Sequence, residues 1–107
     1  MKEEIALMWA DALESGDYKK SVGQLRHGDG FCCLGVLCDL YSSECWGDLI
    51  ANQVEFLPPS IQKWAGMQSR NGCLRIGEKV YNLAQMNDEG ITFDEIADII
   101  RKYYKDL

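Results

Sequence analysis

The longest uncharged, mostly apolar stretch of the chain is the nine residues Gly30–Cys38, and it limits what the chain can fold into. A helix that crosses a membrane needs about 20 such residues, so this run is expected to be a piece of a protein core. It continues as Cys32-Cys33-Leu34-Gly35-Val36-Leu37-Cys38-Asp39-Leu40-Tyr41. A continuous apolar run is either a buried strand or a buried helix. Cys33, Leu37, Leu40 and Tyr41 fall on one helical face, while Leu34, Val36 and Cys38 break the alternation of a half-buried strand. The expectation is a central helix, apolar nearly all round. Gly35 inside it costs about 1 kcal/mol relative to alanine, which makes sense if another element approaches closely there.

The elements around this helix are expected to build one α+β domain over residues 1–107, with four or five helices packed on a short antiparallel sheet. Ile5, Met8, Trp9, Ala12 and Leu13 recur at three- and four-residue spacing and predict a first helix closed by Gly16. His27-Gly28-Asp29-Gly30 is a turn cluster between two short strands, around Gly23–Arg26 and Phe31–Cys32. Ser42–Asp48 reads as a loop, and a strand is considered at Gln53–Phe56. Pro58 and Pro59 open a short helix that runs to Ala65 and stops at Gly66. Asn71-Gly72 is a turn signal. Cys73–Ile76 and Lys79–Tyr81, separated by Gly77-Glu78, read as a hairpin. Leu83–Asp88 is a short helix. Thr92-Phe93-Asp94-Glu95 is a capping box for a last helix whose buried stripe is Phe93, Ile96, Ala97, Ile100 and Tyr103 or Tyr104.

The net charge of −6 argues against nonspecific nucleic-acid binding, which needs a basic surface to displace counterions. The charge is unevenly placed. Tyr18–Gly28 is free of acids and holds Lys19, Lys20, Arg26 and His27. Phe56–Gly77 is also acid-free and holds Lys63, Arg70 and Arg75. If these windows meet in space, they form a local anion site on an acidic protein. The five cysteines, Cys32, Cys33, Cys38, Cys45 and Cys73, have neither the paired spacing of a zinc site nor the even count of a disulfide framework. They are expected to be reduced, small core hydrophobes. No metal and no cofactor is expected. Met1-Lys2-Glu3-Glu4 starts no signal-peptide pattern, so the expected compartment is the cytoplasm.

The segment around Trp9, Ala12-Leu13 and Ser15-Gly16-x-Tyr18, followed by Cys32-Cys33-Leu34-Gly35-Val36-Leu37-Cys38-Asp39-Leu40, resembles a family of small bacteriophage-encoded proteins. The resemblance continues through Leu57-Pro58-Pro59, Trp64-Ala65-Gly66, Leu83-x-x-Met86-Asn87-Asp88-x-Gly90 and Phe93-x-x-Ile96-Ala97-x-x-Ile100. Met86 stands where leucine is expected, a volume-conserving change. The resemblance implies a phage product made in the host cytoplasm, and it implies no chemistry.

Tests for chemistry mostly return negative expectations. Cys–His catalysis would pair His27 with Cys32 or Cys33, but an apolar setting raises a thiol pKa and makes it inert. Asp29, Asp39 and Asp88 are acid–base candidates only by elimination, and Asp88 also suits the Asn87–Gly90 turn. The expected function is non-enzymatic: counter-defence by binding and sequestering a small nucleotide-type immune signal. The expected ligand-binding residues are Arg26, Arg70 and Arg75 for phosphate, with His27 and the Gly28–Gly30 amides nearby. Trp46, Trp64 and Tyr81 are candidates to stack on a base. The alternative is an acidic inhibitor that binds a host defence protein directly. No membrane partner is expected, and self-association is compatible with the sequence.

Overall fold

The computed structural model describes residues 1–48 and 55–107. Helix α1 is Glu3–Glu14, with Glu3 and Glu4 in the first turn where the helix dipole favours acids. It buries Ile5, Ala6, Trp9, Ala10 and Leu13. Met8, expected inside, is 39% exposed, and Ala12 is half-buried. The buried face thus includes two alanines, Ala6 and Ala10, and α1 lies against the last helix. Gly16 follows the helix with φ 81°, the left-handed conformation expected of its stop.

Three two-residue strands come next: β1 (Lys19–Lys20), β2 (Arg26–His27) and β3 (Gly30–Phe31). The β2–β3 pair is the expected hairpin, displaced toward its Gly28-Asp29 turn. The β1–β3 pairing was not foreseen and is parallel, with Lys19 opposite Gly30 and Lys20 opposite Phe31. Two-residue strands carry no alternation from which to read them.

Helix α2 (Cys33–Tyr41) is the predicted central helix, and Cys33 through Cys38 are all buried. Its N-cap is Cys32, whose Sγ accepts the Gly35 N–H at 3.4 Å. At Gly35 the backbone of Leu25 leaves no room for a side chain: a Cβ there would lie 1.7 Å from the Leu25 carbonyl oxygen. The Trp9 indole N–H donates to the Cys33 carbonyl at 2.8 Å and ties α1 to the start of α2. All five cysteines are free, and only Cys73 is not buried.

A single helical turn, α3 (Cys45–Asp48), replaces part of the loop expected at Ser42–Asp48. The Ser42 Oγ accepts the Glu44 N–H at 3.2 Å and starts the turn. Four residues are too few to show helical periodicity. For residues 53 and 54 the strand considered at Gln53–Phe56 lies outside the described residues, and Glu55 and Phe56 form no strand.

Helix α4 (Pro59–Ala65) ends on left-handed Gly66, φ 72°. Strands β4 (Cys73–Ile76) and β5 (Lys79–Asn82) pair antiparallel with Leu74 opposite Tyr81 and Arg75 opposite Val80. Helix α5 (Leu83–Asp88) follows directly, and its first N–H groups turn back onto the Asn71–Gly72 turn. Leu83 donates to the Gly72 carbonyl at 3.1 Å and Ala84 to the Asn71 carbonyl at 3.2 Å. The last helix, α6 (Phe93–Tyr103), carries the complete capping box and buries Phe93, Ile96, Ala97 and Ile100; Tyr103 and Tyr104 are half-buried. The class is α+β, as expected, with five helices of six residues or more around two small sheets among the described residues. A contiguous buried cluster joins α1, α2, α4, α5 and α6.

Candidate functional site

The β2–β3 register puts Arg26 directly across from Phe31, and paired residues project from the same side of a ladder. The Arg26 guanidinium accordingly sits 5.3 Å from the Phe31 ring centre and 5.6 Å from that of Trp46. Phe31 also meets Tyr18 edge-on at 5.1 Å and Trp46 at 5.8 Å. Asp39, projecting from α2, joins the group. It accepts the Tyr18 hydroxyl at 2.7 Å and the Trp46 indole N–H at 3.1 Å. Burial, and then the bond to and charge of Asp39, push the Tyr18 hydroxyl well above its usual pKa. Arg26 and Trp46 are thus brought together, but Trp46 is 7% exposed and its faces serve the fold. Trp64, likewise, packs against Tyr41 at 5.2 Å.

The other sequence-selected residues are distributed elsewhere. His27 is exposed, and its Nδ1 lies 3.2 Å from the Gln24 amide oxygen. Burial raises the Cys32 thiol to about 11 and pushes the Cys33 thiol up further. Arg75 and Tyr81 belong to different residue pairs of the β4–β5 ladder and so leave it from opposite faces. Arg75 lies in a shallow hollow shared with Gln68, Val80 and Asp106. Arg70 stacks on Phe56 at 5.6 Å. Arg26, Arg70 and Arg75 thus each have their own set of neighbours among the described residues.

A cavity of about 260 Å³ lies instead where the β5–α5 junction meets the Asn71–Gly72 turn and the start of α2. Local hydrogen bonding sets its walls. Asn82 is the N-cap of α5, its Oδ1 accepting the Gln85 N–H at 2.7 Å. Asn71 is held by the Ala84 N–H, and its side-chain oxygen accepts the Cys73 thiol at 3.1 Å. Asp88 Oδ1 accepts the Gly23 N–H at 2.9 Å. Asn71, Asn82, Gln85 and Asp88 line the cavity with Glu55, Cys32, Ala84, Gly23 and the Phe56 ring. Among the described residues its lining comprises amide and carboxylate residues and one aromatic residue, Phe56, and includes no cation. Sequence reasoning missed Asn71, Asn82 and Gln85; the signal was the pair of helix and turn caps, which places amide side chains at adjoining chain reversals.

Behind the cavity, Asn87 is fully buried. Its Oδ1 accepts the Cys33 N–H at 3.1 Å, its Nδ2 donates to the Ser21 carbonyl at 2.9 Å, and its own carbonyl accepts the Lys20 ammonium at 2.7 Å. These bonds tie α5 to the start of α2 and to the chain around the end of β1. Among the described residues no cluster of His, Cys, Asp or Glu has the makings of a metal site, and no helix is long and apolar enough to cross a membrane.

Fold and cavity together define a small α+β protein with one amide-rich recess beside a buried asparagine staple. The chain belongs to a family described as a domain of unknown function, DUF8296, whose model matches residues 1–104. No curated protein and no solved structure matches it.

Proposed function

We propose that this protein is a phage-encoded counter-defence factor, acting in the host cytoplasm, that binds and sequesters a small nucleotide-type signal without transforming it. The observation that supports this reading is the cavity between Asn71, Asn82 and Asp88. It is small, fixed by backbone caps, and offers hydrogen-bonding groups beside the Phe56 ring, the mixture that small-molecule sites use for orientation and specificity. The phage assignment rests on the resemblance of the Cys32–Leu40 segment and its companion motifs. The test is incubation of the folded protein with extract from phage-challenged cells, then denaturation and mass spectrometry of what is released. The reading expects a nucleotide-type molecule from the parent chain and none from Ala84→Trp, which fills the cavity. Release of no small molecule, or equal release from both proteins, would overturn it.

A second reading, direct inhibition of a host defence protein, is supported by the outer face of α1. Glu3 and Glu4 are exposed there beside Leu7 and Met8, which are 40% and 39% exposed. An acidic face with a small apolar centre suits a basic partner surface.

A further inference from the structure

The lining of the cavity discriminates between the two ends of a nucleotide. Glu55 and Asp88 bring negative charge and, among the described residues, no lining residue brings positive charge, so a phosphate placed inside would meet like charges with no compensation. The volume of about 260 Å³ lies below the roughly 300 Å³ at which pockets for whole small molecules begin. The recess therefore suits a flat heterocycle and leaves the rest of a nucleotide outside.

The unused hydrogen-bonding capacity narrows the heterocycle. Asn82 and Gln85 are committed to each other and to the start of α5, and the Gln85 amide also donates to Glu89 at 2.8 Å. Asn71 has spent its oxygen on the Cys73 thiol and retains its NH₂ donor. Asp88 has spent one oxygen on the Gly23 and Asn87 N–H groups, and among the described residues its second oxygen has no partner. What is offered is a carboxylate acceptor and an amide donor next to an aromatic ring. Guanine presents the complement: adjacent ring N–H and amino donors for a carboxylate, and a carbonyl acceptor for an amide. Adenine presents a ring nitrogen lone pair where guanine has its N–H, and that lone pair would face the carboxylate unpaired.

We infer that the cavity takes the base of a guanine-type ligand, with the one free oxygen of Asp88 accepting both its ring and its amino N–H, Asn71 donating to its carbonyl, and Phe56 against its face. This rests on the cavity being the ligand site. Phosphates would then lie outside, on the side of Phe56 where Arg70 stacks.

The experiment is calorimetric titration of the full chain with guanosine, GMP, adenosine, AMP and inorganic phosphate. Guanosine and GMP are expected to bind, adenosine and AMP at least tenfold more weakly, and phosphate alone not at all. Asp88→Asn keeps the oxygen that holds the Gly23 N–H and is expected to lower guanosine affinity tenfold or more at an unchanged melting temperature. Ala84→Trp is expected to abolish binding. Equal binding of guanine and adenine ligands, both blocked by Ala84→Trp, would overturn the guanine assignment and leave the cavity reading standing. Silence of guanosine and GMP would also overturn the assignment, while the extract experiment decides the cavity reading by itself. If Asp88→Asn lowers the melting temperature, Asn71→Leu serves as the second variant, and guanosine affinity unaffected by its loss overturns the pairing.

Discussion

The Asn87 side chain accepts the backbone N–H of Cys33 at 3.1 Å across 54 residues of sequence. Cys33 is the first residue of α2, so its N–H has no intrahelical partner. Cys32 uses its own sulfur on Gly35 and leaves this N–H to Asn87. The same amide satisfies the Ser21 carbonyl just past β1. One buried side chain thus closes accounts for two elements that are distant in sequence. Asn87→Leu would leave both backbone groups unpaired, at about 1–3 kcal/mol each. The expected result is a melting temperature lowered far more than by Asp88→Asn, read by thermal denaturation of the two variants side by side. Equal losses would mean that Asn87 does not hold the α2 terminus.

Gly35 predicts a steric effect. Its neighbour is the Leu25 carbonyl, a backbone atom with no rotamer to change, 1.7 Å from where a Cβ would stand. Gly35→Ala should cost about 3 kcal/mol, the upper end for overpacking. Without that contact, alanine would have stabilised a helix interior by about 1 kcal/mol. Denaturant titration gives the sign directly, and a stabilised Gly35→Ala would rule out the close approach of Leu25 to α2.

In the last helix, cap and core separate by magnitude. The Thr92 Oγ1 accepts the Glu95 N–H at 3.2 Å at an exposed position, so Thr92→Ala should cost about 1 kcal/mol. Ile96 and Ile100 are fully buried, and truncating either to alanine should cost about 2–5 kcal/mol. Chemical denaturation of the three variants should rank them in that order.

The thiols set an alkaline limit. Burial raises Cys32 from 9.0 to about 11 and pushes Cys33, Cys38 and Cys45 in the same direction. Above pH 9.0 the unfolded chain loses thiol protons that the native chain keeps, so native stability falls as pH rises. The contribution is whole below pH 9.0 and is lost as pH climbs through about 11. For Cys32 alone it is on the order of 2–3 kcal/mol. Denaturation midpoints should hold steady from pH 7 to 8.5 and drop beyond. At neutral pH a thiol reagent should label Cys73 first, since the other four cysteines are buried, and all five only after unfolding.

How far the sequence carried the fold depended on element length. The capping box at Thr92, the proline start of α4, the Gly77 hairpin and the apolar α2 were legible because each has a local physical cause within a few residues. The inward face of α1 departs from the expectation at Met8 because periodicity alone does not say which of two overlapping stripes meets a neighbour; Ala6 and Ala10 are buried instead. The strands β1 to β3 are two residues long and exist through long-range pairing. The site was less legible. Charge windows are one-dimensional, and the chain sends Arg26 to Trp46, Arg70 to Phe56 and Arg75 to the outer face of the hairpin. The cavity is built from turn and cap residues, of which Asn71 and Asp88 read as turn signals while Asn82 and Gln85 gave no signal of their own.

That separation of the arginines yields the last prediction. Were Arg26, Arg70 and Arg75 one phosphate clamp, each alanine variant would weaken a phosphate-bearing ligand alike. The geometry expects three different outcomes. Arg70, stacked on the cavity wall at Phe56, should be the one whose loss weakens a bound nucleoside phosphate, by about 1.5–3 kcal/mol, or tenfold and more. It should leave the melting temperature alone, because an exposed arginine contributes little to the fold. Arg26 covers Phe31 and Trp46 and donates to the Gly28 carbonyl at 3.3 Å. Its loss should spare the ligand and cost about 0.5–1 kcal/mol of stability through the stacked rings. Arg75, across from Val80 on the solvent side of β4, should change neither. Binding titrations and melting curves of the three variants separate these outcomes. An Arg26 or Arg75 variant that binds as weakly as the Arg70 variant would return the ligand to the clamp and remove it from the cavity mouth.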